Sequence, residues 1–249
     1  MKKRAFKVLA STMAAAGVAA FAVGMGLGER GPAEQDVLLV HGVDHLPSET
    51  ASDWVTYADH VVVVSVAAEK EIPPTELEIA RGEGLIGREL TLDVETVLWS
   101  QEDAPPAPDT WTYPALGYVF TEGDIDGRTP MALAGHPRVE SGHRYIMAIV
   151  WEEARCSPGD VPDPAGWRGL GQGSEVPFDD GVIGQGELEG RVDDGSEARQ
   201  GTLDAHGAEG SLEELLAGQD GDALVRALES ATPQPATFAA QTIPEHSCD

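Results

Sequence analysis

The stretch "RELTLDVETVLWS", residues 88–100, decides the fold. Leu90, Leu92, Val94 and Leu98 fall on one side of a two-residue period, with Thr91, Asp93 and Glu95 on the other. A pleated strand turns successive side chains to opposite faces, so this pattern is a strand with one dry and one wet face. Such strands belong to antiparallel sheets, which tolerate water on one side.

Upstream, "HVVVVSVAA" (60–68) is a β-branched run suited to a buried strand. "SDWVTYAD" (52–59), just before it, reads as one or two helical turns with Ser52 as N-cap. Downstream come an exposed proline loop, "DAPPAPD" (103–109), two further strands, "TWTYPALGYVFT" (110–121) and "TPMALAG" (129–135), and "GHRYIMAIVWEE" (142–153), an apolar run buried on both faces. Residues 166–195 hold nine glycines, which imply turns and short strands such as "SEVPFDDGVIG" (174–184). All five Trp and all four Tyr lie between Trp54 and Trp167, and large aromatics supply most of a core's buried area. These signals place one β domain over residues 36–189, a flexible acidic linker over 190–210, C-terminal helices over 211–231 and a tail over 232–249.

The predicted class is mainly β: a small antiparallel barrel (OB-like) or a sandwich, with a short helix before the first strand and a C-terminal helical segment. In that segment Ser211 and Glu214 form a capping box, Leu212, Leu215 and Leu216 a stripe, and Gly218 a C-cap. "DGDALVRALESA" (220–231) adds a second helix with Leu224, Val225 and Leu228 on one face. "ADHVVVVSV" (58–66), "LTLDVETVLWS" (90–100), "GHRYIMAIVW" (142–151) and the later "WRGLG" (167–171) resemble uncharacterised exported actinobacterial proteins. The strand pattern is also similar to OB-like barrels of the netrin and TIMP type. The resemblance covers roughly residues 52–185 and implies a barrel fold and an exported location. TIMP-like proteins inhibit metalloproteases through an N-terminal cysteine that has no counterpart here, so that activity is not carried over.

The chain opens with Lys2, Lys3, Arg4 and Lys7 ahead of an uncharged run from Val8 to Gly28. Residues 1–28 are therefore a cleaved signal peptide, ending near Ala20-Phe21-Ala22, or a retained membrane anchor. Either way the body is expected to be extracytoplasmic, secreted after cleavage or held at the membrane. In an oxidising compartment Cys156 and Cys248 suit one disulfide, the alternative being two free thiols. Of the 16 basic and 43 acidic residues, five and two respectively lie up to Glu34, so the remainder carries 11 against 41, a charge of −30. Phosphate backbones and anionic lipid surfaces repel such a body, which sets aside nucleic acid and peripheral membrane binding. An envelope polymer or a protein remains as partner.

The chain has no G-x-S-x-G, H-E-x-x-H, P-loop, paired C-x-x-C or dinucleotide glycine motif, and no cofactor is expected. Ser174 precedes a strand and not a helix, which argues against a nucleophile elbow. "HGVDH" (41–45) offers His41, Asp44 and His45 to a metal, but Gly42 and Pro47 bracket a segment with no helical stripe. His143 and Arg144 open a strand and could line a barrel mouth. In "TEGDIDGRTP" (121–130), Glu122, Asp124 and Asp126 fit the first positions of a calcium loop, yet Leu133 stands where a bidentate Glu is required. The chain has no asparagine and uses Asp-Gly four times, so the stretch reads as a hairpin tip. The expected function is a non-catalytic binding or envelope-associated module, the alternative an extracytoplasmic hydrolase with an unrecognised carboxylate site.

Overall fold

The computed structural model describes residues 36–42, 44, 46–156, 163–192 and 210–235. Its elements in chain order are β1 (Leu38–Val40), α1 (Ala51–Tyr57), β2 (His60–Ile72), α2 (Glu76–Arg81), β3 (Gly84–Ser100), β4 (Thr110–Phe120), β5 (Thr129–Leu133) and β6 (Arg144–Glu152). Then follow β7 (Gly166–Gly169), β8 (Glu175–Pro177), β9 (Glu187–Leu188), β10 (Arg191–Val192), α3 (Leu212–Leu216) and α4 (Gly221–Ser230). The fold is mainly β. Eight strands form one sheet in the order β1-β5-β4-β3-β2-β6-β7, with β8 also on β6, and β9 and β10 pair separately. No ladder among the described residues closes this sheet into a barrel, and β1 pairs with β5 in parallel. The purely antiparallel expectation missed that pair because β1 is three residues long and its partner lies about 90 residues away.

The β-branched run sits at the middle of the sheet. Val61, Val62, Val63 and Val64 are all buried, as are Ile146 to Ile149 on β6, so both apolar runs are covered on both faces. Val61, Val63, Ile146 and Ala148 pack with Trp54 of α1, Phe178, and Leu212, Leu224 and Leu228 of the C-terminal helices. Val62, Val64, Tyr145 and Met147 face the other way, toward Leu90, Leu92, Trp111 and Val139.

On this second face the sheet curls. Four strand spacings separate β4 from β8, roughly 19 Å in a flat sheet, yet the Tyr113 hydroxyl of β4 donates to Glu175 Oε1 of β8 at 2.5 Å. Only a strongly bent sheet brings those side chains together, so the second cluster lies inside a half-closed trough. The helices cover its outside.

Two local expectations change. Thr50, not Ser52, caps α1: its hydroxyl accepts from Asp53 N–H, and the Asp53 carboxylate accepts from Thr50 N–H. Leu98 lies on the opposite face from Leu90 and Leu92. The β2–β3 register shifts between Val61 and Val62 and again between Val63 and Val64, and Leu98 joins the helix-side cluster. A bulge inserts an unpaired residue and so overturns strict alternation beyond it.

The C-terminal reading is matched in its two helices and caps but not in the whole stripe, since Leu212 is buried and Leu216 packs on the core while Leu215 is 65% exposed. Ser211 and Glu214 form the capping box, and Gly218 takes φ +80° just after the cap. On α4, Leu224 and Leu228 are buried together with Ala223, while Val225 is only partly covered. Arg191 and Val192, within the expected linker, pair with Glu187 and Leu188. Among the described residues no helix is long and apolar enough to cross a membrane, and the 1–28 segment lies outside them.

Candidate functional site

The residues singled out from the sequence do not converge on one site. His41 and Asp44 lie in irregular backbone, so the helical spacing that "HGVDH" needs is not formed, and His45 lies outside the described residues. The Asp44 carboxylate accepts from the Ser48 hydroxyl at 2.5 Å. Ser174 is fully buried and its hydroxyl donates to the Gly171 carbonyl, which leaves no exposed nucleophile there. His143 Nδ1 pairs with Asp179 at 2.5 Å, and Arg144 pairs with Glu95 while covering the Phe178 ring. Cys156 is not a free thiol. Its expected partner, Cys248, lies outside the described residues.

"TEGDIDGRTP" joins β4 to β5, which pair antiparallel through Val119 and Thr129, so it is a hairpin connection. It contains two turns, one at Glu122-Gly123 and one at the expected Asp126-Gly127, and only the first has positive φ. The Asp124 N–H donates to the Thr121 carbonyl, and the two central residues, Glu122 and Gly123, have φ of +57° and +74°. Positive φ at both centres makes this a type I′ turn within the longer 121–128 connection. Asp124 then accepts from Gly127 N–H through its carboxylate, a local turn and not a cation cradle. The expected geometry appears instead at Asp180-Gly181, with φ of +54° and +77°.

The first cluster that the sequence did not mark surrounds Glu175. Its side chain enters the trough at 7% exposure, and burial pushes its carboxyl up to about 7, against a smaller lowering by the Tyr113 hydrogen bond. Burial and the neighbouring Glu175 raise the Tyr113 hydroxyl well above its ordinary range. Close by, the 169–174 loop fits against the segment carrying Asp44, Ser48 and Glu49. Gly173 N–H donates to Ser48 Oγ at 3.2 Å, and a Cβ on Gly171 would collide with the Asp44 carboxylate. Glu49 is itself raised by burial, with His136 opposing and Asp44 adding to the shift. Two raised carboxyls, with Asp44 between them electrostatically, are thus held by glycines that allow close approach.

No family model, curated protein or solved structure matches the chain. Function must therefore be read from its own side chains.

The second cluster holds the arginines. Arg88 is buried on β3 and donates to both oxygens of Glu69 at 2.8 Å and to the carbonyls of Arg138 and Val139. Arg138 donates to the carbonyls of Leu116 and Met131 and pairs with Glu140 at 2.9 Å. Glu187, also buried, accepts from Arg138 N–H, Gly190 N–H and the Tyr145 hydroxyl. Between them Val139 is held at φ +55°, a strained position for a β-branched residue. This network uses up its donors internally and fixes the 136–140 segment against the trough. Under the C-terminal helices, a cavity of about 10 Å³ lined by Trp54, Ile146, Val176 and Leu224 has room for about one water.

The third feature is a surface. Beyond Ser65, β2 has no β6 partner and pairs only with β3, which is itself still paired with β4, as far as Ile72; this end of the sheet is an arm capped by α2. None of the residues of α2 is buried. Leu77 is 58% exposed, Ile79 50%, Leu85 53% and Ile72 38%. The 121–127 turn abuts this tip, with Gly123 N–H donating to the Gly82 carbonyl at 2.7 Å.

Proposed function

We propose that the protein is an exported, non-catalytic binding module of the cell envelope that meets a protein partner through the tip of the β2–α2–β3 arm. One observation carries this reading. Four of the nine large apolar side chains exposed among the described residues, Ile72, Leu77, Ile79 and Leu85, fall within 14 residues at the end of the arm. A very acidic chain gains solubility from its charge, and exposed apolar groups concentrated at one end are a mark of contact surfaces. A photo-crosslinking residue placed at Leu77 and, as control, at Leu215 on α3 tests it in intact cells. A discrete protein adduct is expected at 77 and none at 215; equal adducts at both, or none at 77, overturn the proposal.

A hydrolase is the second reading, favoured by the raised carboxyls of Glu175 and Glu49 beside Asp44. Groups tuned toward neutrality are what acid–base catalysis needs. Against it, Glu175 is held by Tyr113, and Asp44 by Ser48 and Gly173. The module reading is therefore the stronger. Turnover of chromogenic glycosides or esters that is lost in Glu175→Gln would reverse that order.

A further inference from the structure

We infer that the arm tip is shaped for a cationic, amphipathic segment of a partner protein, an inference that rests on the binding-module reading and adds the chemistry of the partner. The tip is fastened by hydrogen bonds without being buried. The Thr75 hydroxyl accepts from Glu78 N–H, and Glu78 Oε2 accepts from Thr75 N–H at 2.7 Å. Gly82 closes the helix at φ +75°, and Glu78 Oε1 accepts from Leu85 N–H, fastening α2 onto β3. A six-residue helix is far too short to persist alone in water, so this one is maintained by its caps and its strand.

Leu77 and Ile79 contribute nothing to that fastening. They are two residues apart on a helix and so point to different sides, both into solvent. An apolar residue that the fold does not use, on a knob fixed by hydrogen bonds, is preorganised for contact: little conformational freedom remains to be lost on binding. The charge around it selects the occupant. Glu76, Glu83, Glu122 and Asp126 are exposed on α2, its C-terminal loop and the abutting turn. Of the nearby cations, Lys70 pairs with Glu89 and Arg128 with Glu71, while Arg81 at the end of α2 is exposed and offsets part of this acidic surround without reversing its sign. A second copy of the chain, with its −27 charge, is repelled, as are anionic lipid and phosphate-rich polymer. A segment with an apolar stripe flanked by Lys or Arg satisfies both the knob and its acidic surround.

Fluorescence anisotropy with the full chain tests this with three labelled peptides: an amphipathic Leu/Lys helix, the same pattern with Leu/Glu, and a Ser/Lys peptide of equal charge without the stripe. The Leu/Lys peptide is expected to bind most tightly. Leu77→Ser with Ile79→Ser should weaken it by about tenfold or more at an unchanged melting temperature. Glu76→Gln with Glu83→Gln should weaken it less and flatten its salt dependence. Binding that is indifferent to the Leu77/Ile79 change overturns the inference, because general acidity would then hold the peptide. Equal binding of the Leu/Glu peptide, or a dimer dispersed by the serine variant, also overturns it. If the Leu77 photo-adduct forms in cells while the Leu/Lys peptide shows no preference, the docking surface stands and only the partner's chemistry fails.

Discussion

Burial shifts Glu175 toward its protonated form. Burial in the trough raises the folded-state value from 4.5 to about 7, so the folded protein binds a proton there that the unfolded chain releases. Stability from this group is accordingly undiminished below pH ~4.5 and is lost as pH rises toward 7, by about 3 kcal/mol in all. Glu175→Gln keeps the shape and the acceptor for Tyr113 but cannot ionise. Urea unfolding should find the variant about 3 kcal/mol more stable at pH 8 and nearly equal at pH 4.5; parallel profiles for the two proteins would mean that Glu175 does not titrate there. Glu122 has a different problem, a left-handed backbone at φ +57° on an exposed turn. Asn tolerates that conformation better, so Glu122→Asn should add about 1 kcal/mol in the same assay. An unchanged midpoint would remove the strain argument.

Among the elements, α4 makes the clearest energetic claim. Leu224 and Leu228 are buried in the cluster that covers Val61, Val63 and Ile146, the outer face of the central strands. Leu228→Ala removes a packed side chain from a site with rigid walls, at a cost of about 2–5 kcal/mol. Circular dichroism should show the strand signal and the helical signal melting together at a lower temperature; strand melting that is unaffected would make the helices an appendage. The arm behaves oppositely. Its outer β2 edge, Ala67–Ile72, is open among the described residues and carries Glu69, Lys70 and Glu71 before Pro73 and Pro74. Charges and prolines of this kind discourage edge-to-edge pairing with another chain. The arm is thereby left to offer side chains at its tip and not backbone along its edge.

At the scale of the whole molecule, charge sets the terms. With a net charge of −27, the folded chain repels itself more than the expanded one does. Its exposed ion pairs, such as Lys70–Glu89 and Arg155–Asp163, offset little of that. Raising NaCl from about 10 mM to about 0.5 M shortens the screening length severalfold and should raise the unfolding midpoint. A falling midpoint would give the larger role to specific pairs such as Arg88–Glu69. The Cys156–Cys248 bridge, proposed from the even cysteine pair, would close a loop of about 90 residues and add at most about 4–5 kcal/mol. Alkylation of the unreduced protein followed by mass measurement decides it, since two labelled thiols rule the bridge out.

What the sequence by itself determined is what local pattern can encode. The alternation at 88–94 and the unbroken apolar runs at Val61–Val64 and Ile146–Ile149 specify a mainly β fold with central strands covered on both faces. The Ser211–Glu214 spacing specifies a helix start, and the Thr75–Glu78 spacing specifies that of α2 by the same rule. Tertiary structure alone decided the rest. Leu98 changes faces because bulges depend on the partner strand. Glu175 meets Tyr113 across 62 residues of sequence, and Arg88 meets Val139 across 51. Which of 43 acids is desolvated depends on how the sheet bends, and that bend is a property of all its strands together, written at no single position along the chain.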